Sequence, residues 1–349
     1  MRALDAGTES RVILHVAECY EAGVGRAIDR AVGATPEYRH VLLARGQEID
    51  RAEKSGLYAD VQVLPAKSMA AVRSVVAAAR SIRPRVVHAH SSWAGVYTRI
   101  VKLPVPVIYQ PHSFAFEMAK PITRTIYRWA EQALAPRARH FVVLTAREQR
   151  LAAQLHRRAS TVLVPNSPTM TGQVRPHPRE LGVVTVSTVG RVVEQKDPAF
   201  FASVAQTLAT SDPAFRFEWI GDGEPALVRT LRDAGIVVTG WLSEEEVLSR
   251  VAASSVYIHT ANYEGFPLSV LDAAAAGIPI VARDIPAFEG TPLLIAKDPA
   301  SMANQVHRLS ADPSIRLDAI GRSHSLASAM SADVQRERLT NLYEMIADG

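Results

Sequence analysis

Glu264-Gly-Phe-Pro-Leu-Ser-Val-Leu-Asp272 decides the reading of this 349-residue chain. The β-branched run Val256-Tyr-Ile-His-Thr260 precedes it, and a second such run, Ile278-Pro-Ile-Val-Ala282, follows it. The predicted order is strand, glycine-bearing loop, helix from Leu268 to Ala276, a stop at Gly277, and strand again. Such a loop aims unpaired backbone N–H groups and the positive end of a helix at one point in space, which favours an anion such as a phosphate. An acid enters the loop at Glu264, and a second stands about two helical turns on, at Asp272. An anion cradle bordered by carboxylates that bind hydroxyls is what a nucleotide-sugar site requires.

The same alternation extends in both directions. In the first half, Val12-Ile-Leu-His-Val16, Val41-Leu-Leu-Ala44, Val61-Gln-Val-Leu64, Val86-Val-His-Ala-His90, Val105-Pro-Val-Ile-Tyr109, Phe141-Val-Val-Leu144 and Thr161-Val-Leu-Val164 read as strands. Helical spacing lies between them, at about 25–32, from Met69 to Ile82, from Ala94 to Val101, from Pro121 to Leu134 and over 146–156. Strands joined by helical crossovers imply a mostly parallel sheet covered on both faces. Pro165 to Pro178, with Pro168, Gly172 and Pro176, reads as a linker. A second series then starts with strands at Gly182–Val189, Phe215–Ile220 and Ile236–Thr239. A closing helix, Ala332 to Ile346, follows Ser331 as its cap. The expected domains are 1–168 and 169–330, with 331–349 as a terminal helix. Doubly wound sheets bind ligands beyond the carboxyl ends of their strands. Gly190-Arg191-Val-Val-Glu194-Gln-Lys196-Asp197-Pro198 stands at such an end, with Arg191 able to grip a diphosphate in a fork and Lys196 adding a mobile charge.

The stretch from Glu264 to Gly277, with Ile278-Pro-Ile-Val281 behind it, resembles the signature of family 4 glycosyltransferases, E-G-F-P-x-x-x-L-E-A-x-A-x-G-x-P-V. Asp272 stands where the second Glu of that pattern would be, one methylene shorter with the same charge. The resemblance implies an α/β GT-B fold: two Rossmann-like doubly wound domains facing each other across a cleft, with the C-terminal helix crossing back to the first domain. It implies transfer of a sugar from a nucleotide-diphosphate sugar, with retention at the anomeric carbon, to a glycan, lipid-linked or small-molecule acceptor. The setting it suggests is bacterial cell-surface polysaccharide or glycolipid synthesis. Gly190, Arg191 and Lys196 match the phrase whose cations hold the donor diphosphate. Gly265, Phe266 and Leu268 would assist them through backbone N–H groups, while Pro267, which has none, would belong to the same donor-binding loop. Glu264 would bind hydroxyls of the transferred sugar, with a nucleophilic role as the alternative, and Asp272 the ribose. Gly23 and Gly25, in the turn after the first strand, match the family's phosphate-facing loop. His112, in Pro111-His112-Ser113-Phe114, matches a histidine beside the transferred sugar. Gly240, Trp241 and Leu242 match the border of the nucleotide base.

Bulk properties narrow the alternatives. The chain is 48% hydrophobic and 21% charged, ordinary for a soluble globular protein. Its one cysteine, Cys19, excludes an internal disulfide, fits a reducing compartment and is expected to be buried. Arg2, Asp5, Glu9 and Arg11 precede any apolar run, so no signal peptide is visible, and no stretch approaches the ~20 apolar residues that span a bilayer. The expected location is cytoplasmic, peripheral at the inner face of the membrane. Residues 1–170 carry a balance of +11 and residues 171–349 one of −7, so the first domain is suited to an anionic acceptor or membrane surface. Pro121 to Leu134, amphipathic and carrying Arg124, Arg128 and Trp129, would either lie on such a surface or cover the sheet. Nucleic acid is ranked low because no recognised RNA module is present. The third glycine of a dinucleotide fingerprint is missing, with Ile28 in its place, so a nicotinamide cofactor is not expected. His88 and His90 share one side of a strand but lack nearby acids or cysteines, which favours a structural or acceptor-side role over a metal. The chain has no Asp-x-Asp pair, so the cations and the helix start would neutralise the leaving diphosphate, and no metal or other cofactor is expected. A nucleotide-sugar epimerase or hydrolase on the same fold, and a non-catalytic nucleotide-sugar binder, are the competing readings.

Overall fold

The computed structural model describes residues 11–66, 69–170, 172, 175–176, 182–209 and 214–347. Arg2, Asp5 and Glu9, on which the reading of the N-terminus rests, and Pro178 of the linker lie outside the described residues. One sheet holds β1 (Val12–Ala17), β2 (Arg39–Ala44), β3 (Asp60–Val63), β4 (Val86–His90), β5 (Val107–Gln110), β6 (His140–Val143) and β7 (Thr161–Leu163), in the spatial order β3-β2-β1-β4-β5-β6-β7. A second holds β8 (Val183–Val189), β9 (Ala214–Ile220), β10 (Val237–Val238), β11 (Val256–His259), β12 (Ile280–Arg283) and β13 (Leu294–Ala296), in the order β10-β9-β8-β11-β12-β13. The described pairings are all parallel. β13 is the strand that the sequence reading lacks; three residues are too few to set up a periodicity.

Every side chain of β1 is buried. An unbroken apolar run without alternation is what a parallel strand covered on both faces requires. In each sheet the chain first builds outward on one side of its first strand and then returns to the other side. The switch therefore falls between β1 and β4 in one sheet and between β8 and β11 in the other. Chains leaving these neighbours diverge, which opens a crevice at their carboxyl ends. Gly277 ends the helix Leu268–Ala275 at φ +67°, where a Cβ would also stand 3.2 Å from the His324 ring.

Two compact units result. One joins the described residues up to Asn166 with those from Ala332 onward; the other spans Ser167–Ser331. The closing helix, Ala332–Ala347, packs on the helix Ala22–Ala34. Its Leu339, Leu342, Tyr343 and Ile346 share an apolar cluster with Ile13, Val86 and Ile108 of the sheet. Arg85 donates to the carbonyl of Tyr343 at 3.0 Å, and Gln335 to that of Pro165 at 3.0 Å. Cys19 is half-buried rather than buried.

The helix Pro121–Leu134 matches its expected bounds, but its apolar side does not cover the sheet. Ile122, Ile126 and Trp129 are 80%, 58% and 72% exposed. Its one buried side chain is Glu131, which accepts from Arg99 at 2.9 Å and from the Tyr109 hydroxyl at 2.8 Å. No helix among the described residues is long and apolar enough to cross a membrane.

Leu342→Ala should lower the unfolding free energy by about 2–5 kcal/mol, the range for emptying a buried leucine site, as read by urea denaturation. A loss below ~1 kcal/mol would mean that the last helix is not docked in solution.

Candidate functional site

The loops that follow β8 and β11 meet at the switch point of the second sheet. Polar bonds stitch them together. The Thr260 hydroxyl donates to the carbonyl of Lys196 at 2.8 Å, the Asn262 N–H to that of Gln195 at 2.8 Å, and the Gln195 side-chain amide to that of Tyr263 at 3.0 Å. Lys196 Nζ and Glu264 Oε1 form an ion pair across the seam. Asp197 sits in the left-handed region at φ +51° and accepts from the Phe200 N–H at 3.1 Å, capping the helix Pro198–Leu208. Its second oxygen receives Arg283 at 2.6 Å. Arg191 is exposed and makes no ion pair among the described residues. The loop after β9 lies directly on this seam. A Cβ at Gly223 would fall 2.2 Å from the carbonyl of Val192, so only glycine fits.

Gly265, Phe266 and Pro267 lead straight into the helix Leu268–Ala275, whose start carries no side-chain cap. Its first N–H groups thus have no partner of their own from a capping side chain. Burial pushes the Glu264 carboxyl up, but the Lys196 ammonium and the adjoining His259 ring more than reverse that, to about 2. Glu264 is therefore an anion and Lys196 its counter-ion.

His259 escaped the sequence reading. It ends β11, fully buried, with its Nε2 3.6 Å from Glu264 and neither ring nitrogen hydrogen-bonded among the described residues. Its place at the carboxyl end of the strand next to the acid-bearing loop was the available signal.

Asp272 is anchored by hydrogen bonds. Both its oxygens are spent inside its own unit: Oδ1 accepts from the N–H groups of Thr169 at 2.6 Å and Met170 at 3.0 Å, and Oδ2 from the Thr169 hydroxyl at 2.7 Å. On its shorter arm the carboxylate stays buried, and burial pushes its pKa up against these three bonds. It fastens Thr169 and Met170 to the second unit. Gly240 turns at φ +79° and donates to the carbonyl of Gly221 at 3.2 Å, while Trp241 is largely exposed and Leu242 half-buried.

In the first unit, Gly23 and Gly25 lie within the helix Ala22–Ala34 and not in a loop ahead of it. Gly25 lets that helix start approach Tyr20 and Arg51, since a Cβ there would meet the Arg51 guanidinium at 3.0 Å, whereas nothing stands within 4 Å of a Cβ at Gly23. His112 follows β5 in a turn with φ +53°, and Ser113 with φ +84°. Non-glycine residues held there mark a conformation that the surroundings must enforce. The Glu148 carboxylate does so, accepting from the N–H groups of Ser113 at 2.8 Å and Leu144 at 2.7 Å. Burial pushes the His112 ring down to about 4, so it is neutral at physiological pH. His88 and His90 do share one side of β4, and sheet pairing adds His15 of β1 to their cluster, which the sequence spacing could not show.

Comparison with known proteins gives a consistent result. Residues 8–167 match the family described as "Glycosyl transferase 4-like domain", and residues 183–312 that described as "Glycosyl transferases group 1". Similar proteins include the UDP-Gal:alpha-D-GlcNAc-diphosphoundecaprenol alpha-1,3-galactosyltransferase of Escherichia coli, 26% identical over 57% of this chain and 58% of that one. The alpha-D-kanosaminyltransferase of Streptomyces kanamyceticus is 27% identical over 76% of this chain and 78% of that one. The chain thus spans little more than half the length of the first relative. The crystal structure of Anabaena HepE in complex with UDP and glucose superposes with a TM-score of 0.79 at 15% identity, over 96% of this chain and 100% of that one. This likeness fixes the GT-B fold.

The Glu264 pKa sets a pH dependence. Because its folded value of about 2 lies below its ordinary 4.5, the pairing stabilises the fold above pH 4.5 and is lost as pH falls towards 2. Wild type should therefore lose on the order of 2–3 kcal/mol more than Glu264→Gln between those pH values, measured by denaturant titration. Parallel acid limbs for the two proteins would refute the ion pair.

Proposed function

We propose that this chain, which belongs to the group 1 glycosyltransferases, moves a sugar from a nucleotide-diphosphate sugar to an acceptor, with retention at the anomeric carbon and without a metal. The observation that carries the reading is the seam at the β8/β11 switch point, where Lys196 pairs with Glu264 just ahead of an uncapped helix start, with Arg191 exposed in the loop after β8. When the bond between the anomeric carbon and the diphosphate oxygen breaks, its electron pair leaves with the nucleoside diphosphate. Arg191, Lys196 and the N–H groups at the start of the helix Leu268–Ala275 offset that growing charge. They replace the divalent ion that other transferases hold on an Asp-x-Asp pair, which this sequence lacks. Lys196 turns from Glu264 to the diphosphate, and the released Glu264 accepts hydrogen bonds from hydroxyls of the transferred sugar. A UDP-hexose is the donor class to test first, because the relative from Escherichia coli is named for UDP-Gal and the HepE structure contains UDP.

The acceptor in this reading is lipid-linked, and the protein works at an anionic membrane face in cell-surface glycan synthesis. Support comes from the helix Pro121–Leu134. Ile122, Ile126 and Trp129 are exposed along one side, with Arg124 and Arg128 on the same helix. Apolar side chains that enter the interface, flanked by arginines that meet anionic headgroups, are the features of a helix lying on a membrane.

Two measurements test these statements. Release of UDP from UDP-hexoses should require a lipid-linked GlcNAc diphosphate acceptor, and Arg191→Ala with Lys196→Ala should lower its rate by about 10³-fold or more. An unchanged rate in the double variant defeats the mechanism; acceptor-independent release means a hydrolase, and no release with any donor a binder. In liposome flotation the wild type should rise with anionic vesicles, and Trp129→Glu should not. Absence of the wild type from anionic vesicle fractions would remove the membrane half of the reading.

A further inference from the structure

Five histidines of the first unit belong to one constellation, all buried except the half-buried His112, and four of them form a single file. His40 of β2, His15 of β1 and His90 of β4 are buried side by side. His40 Nδ1 lies 2.9 Å from His15 Nε2, His15 Nδ1 lies 3.0 Å from His90 Nε2, and His90 Nδ1 lies 3.1 Å from His112 Nε2. At the far end His40 Nε2 faces the carbonyl oxygen of Thr35 at 2.9 Å and the Thr35 hydroxyl at 3.3 Å. The fifth, His88, stacks on His90 with ring centroids 4.1 Å apart and bonds through Nδ1 to the Tyr343 hydroxyl at 3.0 Å.

The file has a fixed direction. A neutral imidazole has one donor and one acceptor nitrogen, so each ring's partner at one end dictates what it offers at the other. Burial pushes the pKa of all four rings down, and the neighbouring rings push those of His15 and His90 down further. All four are therefore neutral at physiological pH. The Thr35 carbonyl can only accept, and the Thr35 hydroxyl has already given its proton to the carbonyl of Ala31 at 3.0 Å. His40 must therefore donate from Nε2, which leaves its Nδ1 to accept from His15 Nε2–H. His15 Nδ1 then accepts from His90 Nε2–H, and His90 Nδ1 accepts from His112 Nε2–H. The opposite direction would set two lone pairs against each other at Thr35 in a fully buried place, a cost of about 1–3 kcal/mol. A metal among His15, His88 and His90, whose nitrogens lie within 4.8 Å of one another, would have to break the bonds that already use both nitrogens of His15 and His90.

We propose that His40, His15 and His90 are positioning residues that lock the His112 ring as its Nε2–H tautomer, so that its Nδ1 lone pair is presented as an obligatory acceptor for a sugar hydroxyl. His112 Nδ1 makes no hydrogen bond among the described residues. Glu148 fixes the backbone of this turn and the file fixes the ring, so the two constraints are independent. The file orients and does not conduct: it ends on a carbonyl that cannot take a proton, so His112 is held as an acceptor rather than served as a base. This rests on the sugar-transfer reading for the identity of the hydroxyl, but not for the tautomer.

Long-range ¹H–¹⁵N spectra of the full chain labelled with [¹⁵N]histidine, assigned by His112→Gln, read the tautomer directly. Wild type should show His112 protonated at Nε2 alone. His40→Phe, which removes the donor and acceptor at the distal end, should give a mixture of tautomers at His112, while His40→Gln, whose amide can donate to Thr35 and accept from His15, should restore the single form. With a UDP-hexose and acceptor, His40→Phe should lower kcat about ten- to a hundredfold with the donor KM within twofold, and His40→Gln should recover it. Protonation at Nδ1 in the wild type, which needs no variant to fold, would overturn the proposal. So would an unchanged His112 signal in His40→Phe. A correct tautomer in a protein that turns over no sugar nucleotide would instead defeat the transfer reading and leave the file standing.

Discussion

The ion pair between Lys196 and Glu264 is the contact on which the seam of the second unit turns. It joins loops that leave neighbouring parallel strands, and it can exist only because β8 and β11 lie side by side where the strand order reverses. The backbone bonds from Thr260 and Asn262 hold the seam whether or not the charges are paired. In the transfer proposed above, Lys196 could thus leave Glu264 for a phosphate without unravelling the loop that carries it. The lysine keeps the carboxyl ionised despite its burial. Replacing a buried charge pair by apolar side chains is often neutral, whereas leaving one partner without the other is costly, so each charge here needs something to exchange for. A diphosphate and a sugar hydroxyl would supply that exchange.

The first unit uses the same position in its own sheet in the opposite electrical sense. Around the β1/β4 switch point the side chains are histidines packed so closely, and so far from water, that they stay neutral at physiological pH. Where the second unit gathers charge, the first removes it and keeps only directional hydrogen bonds. One parallel-sheet plan therefore supports two kinds of chemistry, and the difference lies wholly in which side chains stand on the central strands and the loops after them.

Much of the fold was legible in the chain itself. β4 and the helices Met69–Ile82 and Pro121–Leu134 begin and end where the residue pattern places them, because proline, glycine and the apolar period act within a few residues of one another. The placement of Arg191, Lys196 and Glu264 beyond the ends of β8 and β11 was legible for a related reason: residues at strand ends are placed by the strands, and the strands were readable. The exposed face of Pro121–Leu134 was less so. Its periodicity shows an apolar stripe but not whether anything covers it, and here the helix is held instead by one buried carboxylate, Glu131, reaching Arg99 and Tyr109.

What the sequence determined by itself is the alternation of strands and helices, the two-unit plan and which residues stand in the loops after β8 and β11. Tertiary structure decided the rest. Asp272 carries the charge that the family pattern asks for, yet its contacts to Thr169 and Met170, more than a hundred residues away along the chain, give it a fastening role in this structure. His15, His40, His90 and His112 look unrelated in the sequence and become one directed file only when β1, β2, β4 and β5 are laid side by side. The reason is physical: local backbone preferences are set by neighbours in the chain, whereas burial, hydrogen-bond polarity and the protonation of a ring are set by whatever the folded sheet brings against it.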